Sequence, residues 1–130
     1  MSSTGEQFLA MSCASAFESK GKPCRFDFSI LIPIAIQFLT DLISKMNCGR
    51  EPSASELSAR LSNAKSDAFV GVAVREAVRQ TNKDQKLGMT GEEQSLTRQG
   101  LREGFQEMPE LARVSLCSQA CGKAFGHAHG

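Results

Sequence analysis

The stretch FDFSILIPIAIQFLTDLISKM, residues 26–46, is the most hydrophobic in the chain, and its reading decides the fold. Its first part alternates: Phe26, Phe28, Ile30 and Ile32 are interleaved with Asp27, Ser29 and Leu31, as in a strand. Pro33 marks a change of pattern. Beyond it Ile34, Phe38, Leu42 and Met46 recur at intervals of four, with Ile36, Leu39 and Ile43 beside them. That stripe is broad enough for a helix packed on several sides. A lone strand would have no partner elsewhere in the chain, and an unpaired strand is not stable in water. The stretch therefore reads as a helix from about residue 29 with Pro33 in its first turn, where proline is tolerated. A short extended entry before a helix from Pro33 is the alternative. Asn47, Cys48 and Gly49 close the helix, with Gly49 as terminator. Crossing a membrane takes roughly twenty apolar residues. Here Gln37 interrupts the run and Asp41 and Lys45 follow it, so the expectation is a buried core helix and no transmembrane segment.

Outward from this segment, helix-start signals recur. Thr4 with Gln7 forms a capping-box pattern ahead of a helix over about residues 5–17, whose apolar residues are Phe8, Leu9, Met11 and Phe17. Ser53 with Glu56 heads a short helix over 54–63 with Leu57 and Leu61 four apart. Residues 67–80 are amphipathic. Phe69, Val70, Val72, Ala73, Val74, Ala77 and Val78 oppose Arg75, Glu76, Arg79 and Gln80. Gly71 interrupts them, at about 1 kcal/mol relative to alanine in a helix interior. Residues 82–89 read as a polar loop. Thr90 with Glu93 then heads a helix whose stripe is Leu96, Gly100, Leu101, Gly104, Phe105 and Met108. Two interior glycines are costly, and close approach of another helix is the natural compensation. Pro109 ends that helix. A last one, from Glu110 to about Phe125, places Leu111, Val114, Cys117, Cys121 and Phe125 on one side.

The expectation is an all-α single domain over 1–130: four to five helices packed as an irregular bundle around the hydrophobic central helix. The N-terminus (1–5) and the C-terminal tail (126–130) are expected to be loose. Ile34, Phe38, Leu42, Phe69, Ala73, Leu101 and Phe105 are the expected core.

A chain of 130 residues suits one domain. It has eight phenylalanines and neither tryptophan nor tyrosine, so it lacks the amphipathic aromatics that interfaces and base-stacking sites favour. With 15 basic and 14 acidic residues the formal charge is +1, without the basic surplus usual in nucleic-acid binders. Five cysteines make an odd count, unlike a secreted disulfide scaffold. The N-terminus lacks the layout of a signal peptide, with no Lys or Arg before Lys20. Free thiols in a reducing cytoplasm are the expected setting.

Four features could carry function. Cys117 and Cys121, followed by His127 and His129, combine zinc-binding side chains. Their three-residue cysteine spacing departs from the usual two-residue knuckle, and both cysteines share an apolar stripe, where thiols behave as small buried hydrophobes. The expectation is therefore no metal and no cofactor. Residues 53–80 could form a helix-turn-helix, yet the front of the second helix offers Asp67, Ala68, Val70 and Gly71, and its basic residues Arg75 and Arg79 come late. Nucleic acid is not the expected partner. A Cys–His nucleophile would need an anchored histidine, and both histidines lie in the glycine-flanked tail. No phosphate loop, dinucleotide fingerprint or His-Glu-x-x-His motif occurs, so neither a catalytic constellation nor a small-molecule substrate is evident. The fourth feature is the glycine-lined stripe Leu96, Gly100, Gly104 and Met108, an apolar face available for oligomer or partner contacts. The functional expectation is a small non-enzymatic protein-interaction or assembly protein, binding itself or another protein. The alternatives are a helix-turn-helix-like nucleic-acid-binding regulator and a thiol or metal-binding protein using the C-terminal Cys/His cluster.

Overall fold

The computed structural model describes residues 4–129, with side chains described through residue 120. The helix-start signals become helix starts. The elements are α1 (Thr4–Glu18), a 3-10 turn (Phe28–Ile30), α2 (Leu31–Met46), α3 (Ala54–Leu61), α4 (Ala68–Asp84), α5 (Gly91–Glu107) and α6 (Glu110–His129). The fold is all-α, with no strand among the described residues. Among the described residues six α-helices stand where four to five were expected, because α1 is a full helix of 15 residues and the short α3 persists as a separate element. Ser53 and Thr90 each form the reciprocal capping box with Glu56 and Glu93. Asp67 caps α4 by accepting from the backbone N–H groups of Phe69 and Val70. Thr4 is different: it is the first described residue and already belongs to α1, and Gly5 is buried. The polar loop after α4 starts later than expected, since that helix runs through Asp84.

The alternating stretch 26–32 resolves in favour of helix. Asp27 accepts from the Ser29 N–H and starts the 3-10 turn, which runs directly into α2 with Pro33 in its first turn. Phe26 and Phe28 meet Phe17 of α1 with ring centroids 6.0–6.4 Å apart, so the alternation serves an aromatic cluster. At the other end Cys48 takes the left-handed conformation (φ 55°), and the Gly49 N–H bonds back to the Ser44 carbonyl. The helix thus ends in a Schellman-type turn with a cysteine in the position that glycine usually fills.

Two helix pairs dominate the packing, α1 against α5 and α2 against α4, with α3 held against α6. One core joins all six helices. The central helix faces it differently from the expectation. Leu31, Ile32, Ala35, Ile36, Leu39 and Ile43 are buried, while Ile34, Phe38 and Leu42 are half-buried at its flank. Phe69 is also only half-buried, whereas Ala73, Leu101 and Phe105 are in the core as expected. By length and composition Phe28–Met46 would suffice to cross a membrane. In this fold its apolar side is packed on α4, and Gln37, Asp41 and Lys45 are exposed.

Polar side chains fix the corners. Arg113 is buried; its Nε donates to the Ser58 carbonyl at 3.1 Å and hydroxyl at 3.0 Å, and its Nη1 to the Met108 carbonyl at 2.7 Å. That last carbonyl is freed by the break before Pro109, so one guanidinium ties α3 to the α5–α6 corner. Arg102 likewise donates to the carbonyls of Ala64 and Lys65, each at 2.7 Å. Gly71 makes room for it, since a Cβ there would lie 3.1 Å from Arg102 Nη1. The glycine that weakens α4 in isolation therefore has a packing reason.

Candidate functional site

Leu9, Cys13, Ala16 and Phe17 form one face of α1 and are buried. That face meets α5 at its two glycines. A Cβ on Gly100 would stand 2.6 Å from the Cα of Cys13, and one on Gly104 would stand 2.7 Å from Leu9 Cδ2. The missing side chains let the two backbones approach closely, which is the compensation expected for interior glycines. Leu96, Gly100, Gly104 and Met108 are accordingly all buried within the chain, and α1 occupies the stripe expected to receive a partner. An apolar face already covered by its own helix is not an open docking surface.

The docking of α1 leaves a different face outward. Thr4, Phe8, Met11 and Ser15 follow one another at helical spacing along its flank. Met11 is 72% exposed and Phe8 half-buried. Between this flank and α5 runs a groove of about 240 Å³ lined by Phe8, Met11, Ser12, Ser15, Glu103 and Glu107. Next along the same flank is a more apolar hollow of about 380 Å³, lined by Thr4, Gly5, Pro109, Leu111, Ala112 and Ser115. Leu111, expected to face the core with Val114 and Cys117, is instead 86% exposed. Burial of Arg113, Leu116, Cys117 and Ala120 sets the rotation of α6 and turns Leu111 to solvent at the rim of this hollow.

The charge around the groove has one sign on the lining. α1 carries only Glu6 and Glu18 as charged residues. On the opposite wall, Glu103 and Glu107 are one helical turn apart. Glu103 accepts from Gln99 Nε2 at 3.2 Å, and Glu107 pairs with Lys65 Nζ at 3.5 Å across two exposed side chains. Arg102 is turned away, committed to the carbonyls of Ala64 and Lys65. Lys65, Arg98 and Arg102 line a neighbouring polar groove that shares Glu103.

The expected metal-ligand cluster is only partly within view. Cys117 is fully buried in the core, while the side chains of Cys121, His127 and His129 lie outside the described residues. Among the described residues no group of three or more His, Cys, Asp or Glu side chains is placed to hold a metal ion. Cys13 is also fully buried; desolvation, with a smaller contribution from nearby Cys24, pushes its thiol pKa up to about 12. Such a thiol is poorly nucleophilic at neutral pH. Among the described residues the exposed thiols are Cys24 and Cys48.

The short helix, turn and longer helix read from residues 53–80 are present as α3 and α4. The front of α4 is engaged elsewhere: Asp67 pairs with Arg60 at 3.2 Å, and the Arg60 guanidinium covers the Phe69 ring at 4.8 Å. Val70, Ala73, Val74, Ala77 and Val78 are buried, and Arg79 is paired with Glu76 at 2.8 Å. The exposed strip on α1 and α6 was not singled out from sequence. One signal was available: Leu9, Cys13 and Phe17 recur every four residues, and that phase puts Met11 off the buried face. Comparison with protein-family models, with curated proteins and with solved structures finds no match for this chain.

Proposed function

We propose that this chain is a small, soluble, non-enzymatic protein-interaction domain that docks a protein partner on the face made by α1, the end of α5 and the start of α6. The observation that carries the reading is the exposure of Met11 on α1 and Leu111 on α6, 72% and 86%, each lining one of two hollows to which α1 contributes residues. Single exposed apolar residues are ordinary on protein surfaces. A run of them beside concave surface is what partner sites present. Ile30 and Met46, the other large exposed apolar side chains among the described residues, stand apart at the two ends of α2.

The reading places the chain in the cytoplasm, in keeping with exposed thiols at Cys24 and Cys48. It treats α2 as a core helix, in keeping with the polar outer side formed by Gln37, Asp41 and Lys45. It assigns nucleic acid no part, because the candidate recognition helix spends its apolar side on the core and its leading residues on Arg60. A photo-crosslinking amino acid placed at Met11 or, separately, at Met46 in producing cells tests it. The expected result is a discrete protein adduct from position 11, lost with Phe8→Glu, and none of equal yield from position 46. Equal yields at both positions, or none at Met11, would remove the assignment.

A further inference from the structure

We infer that the occupant of the α1–α5 groove is a basic amphipathic helix, whose apolar side lies on Phe8 and Met11 and whose lysines or arginines meet Glu103 and Glu107. The inference rests on the interaction reading above and adds the chemistry of the partner. Its first ground is shape and polarity. The groove has an apolar side made by Phe8 and a largely exposed Met11, with Ser12 and Ser15 continuing along the helix. Methionine is unbranched and adaptable, and it suits surfaces that accept the apolar side of a helix. The grooved face follows one helix axis, so an occupant presenting apolar residues at helical spacing matches its direction.

The second ground is charge complementarity. Both charged residues lining the groove are carboxylates, Glu103 and Glu107, and α1 contributes no cation to the opposite side. Their spacing of one helical turn matches cations placed one turn apart on an incoming helix. Among the described residues the cation paired with this wall is Lys65 on Glu107, held at 3.5 Å in an exposed pair, which solvent screens and a partner's cation can replace or share. Lys65, Arg98 and Arg102 line the neighbouring polar groove, which shares Glu103, and none of the three lines the apolar groove. An acidic segment or an anionic lipid surface would meet like charge here. In a symmetric pair made through this face, a second copy would present its own α1, which has no basic residue.

The probe is a fluorescein-labelled peptide of leucine and lysine patterned at the helical period, titrated with the full chain and read by fluorescence anisotropy. Two comparators accompany it: the same composition in scrambled order, and the same pattern with glutamate in place of lysine. The patterned basic peptide should bind. The scrambled and acidic peptides should bind at least about tenfold more weakly, as expected where charge and register both select. Met11→Lys should abolish binding. Glu103→Gln with Glu107→Gln, one half-buried and one exposed position, in a variant whose folding is checked by circular dichroism, should weaken it by about tenfold and flatten its salt dependence. Equal binding of the scrambled or acidic peptide, or an unchanged affinity in the double glutamine variant, would overturn the inference. So would a dimer in light scattering that Met11→Lys dissolves, because the occupant would then be a second copy. A crosslink at Met11 that persists while the basic peptide fails to bind would sink this inference and leave the interaction reading standing. Loss of both would sink both.

Discussion

Replacing Gly100 with alanine adds one methyl group at the closest contact between α1 and α5. That Cβ would stand 2.6 Å from the Cα, 3.1 Å from the backbone nitrogen and 3.0 Å from the Sγ of Cys13. Carbon atoms in contact rest about 3.5–4.0 Å apart, so α1 must retreat by about 1 Å or tilt. It cannot retreat freely, because Leu9, Cys13 and Phe17 on the same face are fully buried. Taken alone, glycine to alanine in a helix interior is worth about 0.5–1 kcal/mol in favour of the fold. Overpacking costs about 1–3 kcal/mol, and a clash against backbone belongs at the upper end because no rotamer change relieves it. The net expectation is a loss of about 2 kcal/mol, or roughly 8 °C in melting temperature for a domain of this size. The assay is urea and thermal unfolding followed by circular dichroism, with three companions. Gly104→Ala should cost less, because the nearest atom, Leu9 Cδ2 at 2.7 Å, is the end of a flexible side chain. Gly91→Ala should cost nothing through contacts, since a Cβ there meets no atom within 4 Å. Adding Cys13→Ala to Gly100→Ala should not restore stability, because the obstructing Cα remains. A Gly100→Ala protein as stable as Gly91→Ala would refute the close packing of these helices.

The facing of α2 is tested by two truncations: Leu39→Ala should cost about 2–5 kcal/mol, and Phe38→Ala clearly less than the roughly 3–5 kcal/mol of a fully buried phenylalanine, both from denaturant midpoints. Under native conditions iodoacetamide with mass spectrometry should label Cys24 and Cys48 and spare Cys13 and Cys117, and labelling of Cys13 at the rate of Cys24 would contradict its burial. The Glu93 carboxyl is held below its ordinary value of 4.5, chiefly by the hydrogen bond from the Thr90 backbone N–H, against a desolvation cost and with help from Arg25. Its contribution to stability is thus present above pH 4.5 and lost as pH falls through the lowered folded value, so Glu93→Gln should be less stable than wild type at neutral pH and converge with it in acid. A stability difference that stays constant from pH 7 down through that range would contradict the assignment.

The helix starts were legible because capping is local: Ser53 with Glu56 and Thr90 with Glu93 close their boxes within four residues of chain. The close approach at Gly100 and Gly104 was also legible, since two glycines in one helical stripe require a reason. The rotation of α2 was harder to read. Apolar residues cover so much of its circumference that the stripe through Ile34, Phe38 and Leu42 and the stripe through Ile32, Ile36, Leu39 and Ile43 both look central. The polar residues Gln37, Asp41 and Lys45 choose between them, and they point away from the second stripe. The rotation of α6 depends on Arg113. From sequence it reads as a wet residue, and only tertiary structure supplies the Ser58 and Met108 oxygens that let it be buried. Leu111 is turned outward as a result. The interaction stripe expected on α5 is covered by α1, a pairing between distant segments that no local pattern announces; the exposed flank around Met11 is its consequence.

The most direct test of the proposed docking face compares two exposed methionines on one molecule. Met11 and Met46 are 72% and 50% exposed, and both should be oxidised by brief hydroxyl-radical exposure of the purified chain, Met11 at least as fast as Met46. In extract of the producing cells, quantified by mass spectrometry, Met11 should be protected severalfold while Met46 reacts as before, and Phe8→Glu should restore oxidation of Met11. Equal reactivity of Met11 in the purified chain and in the extract would contradict the claim that this face holds a partner.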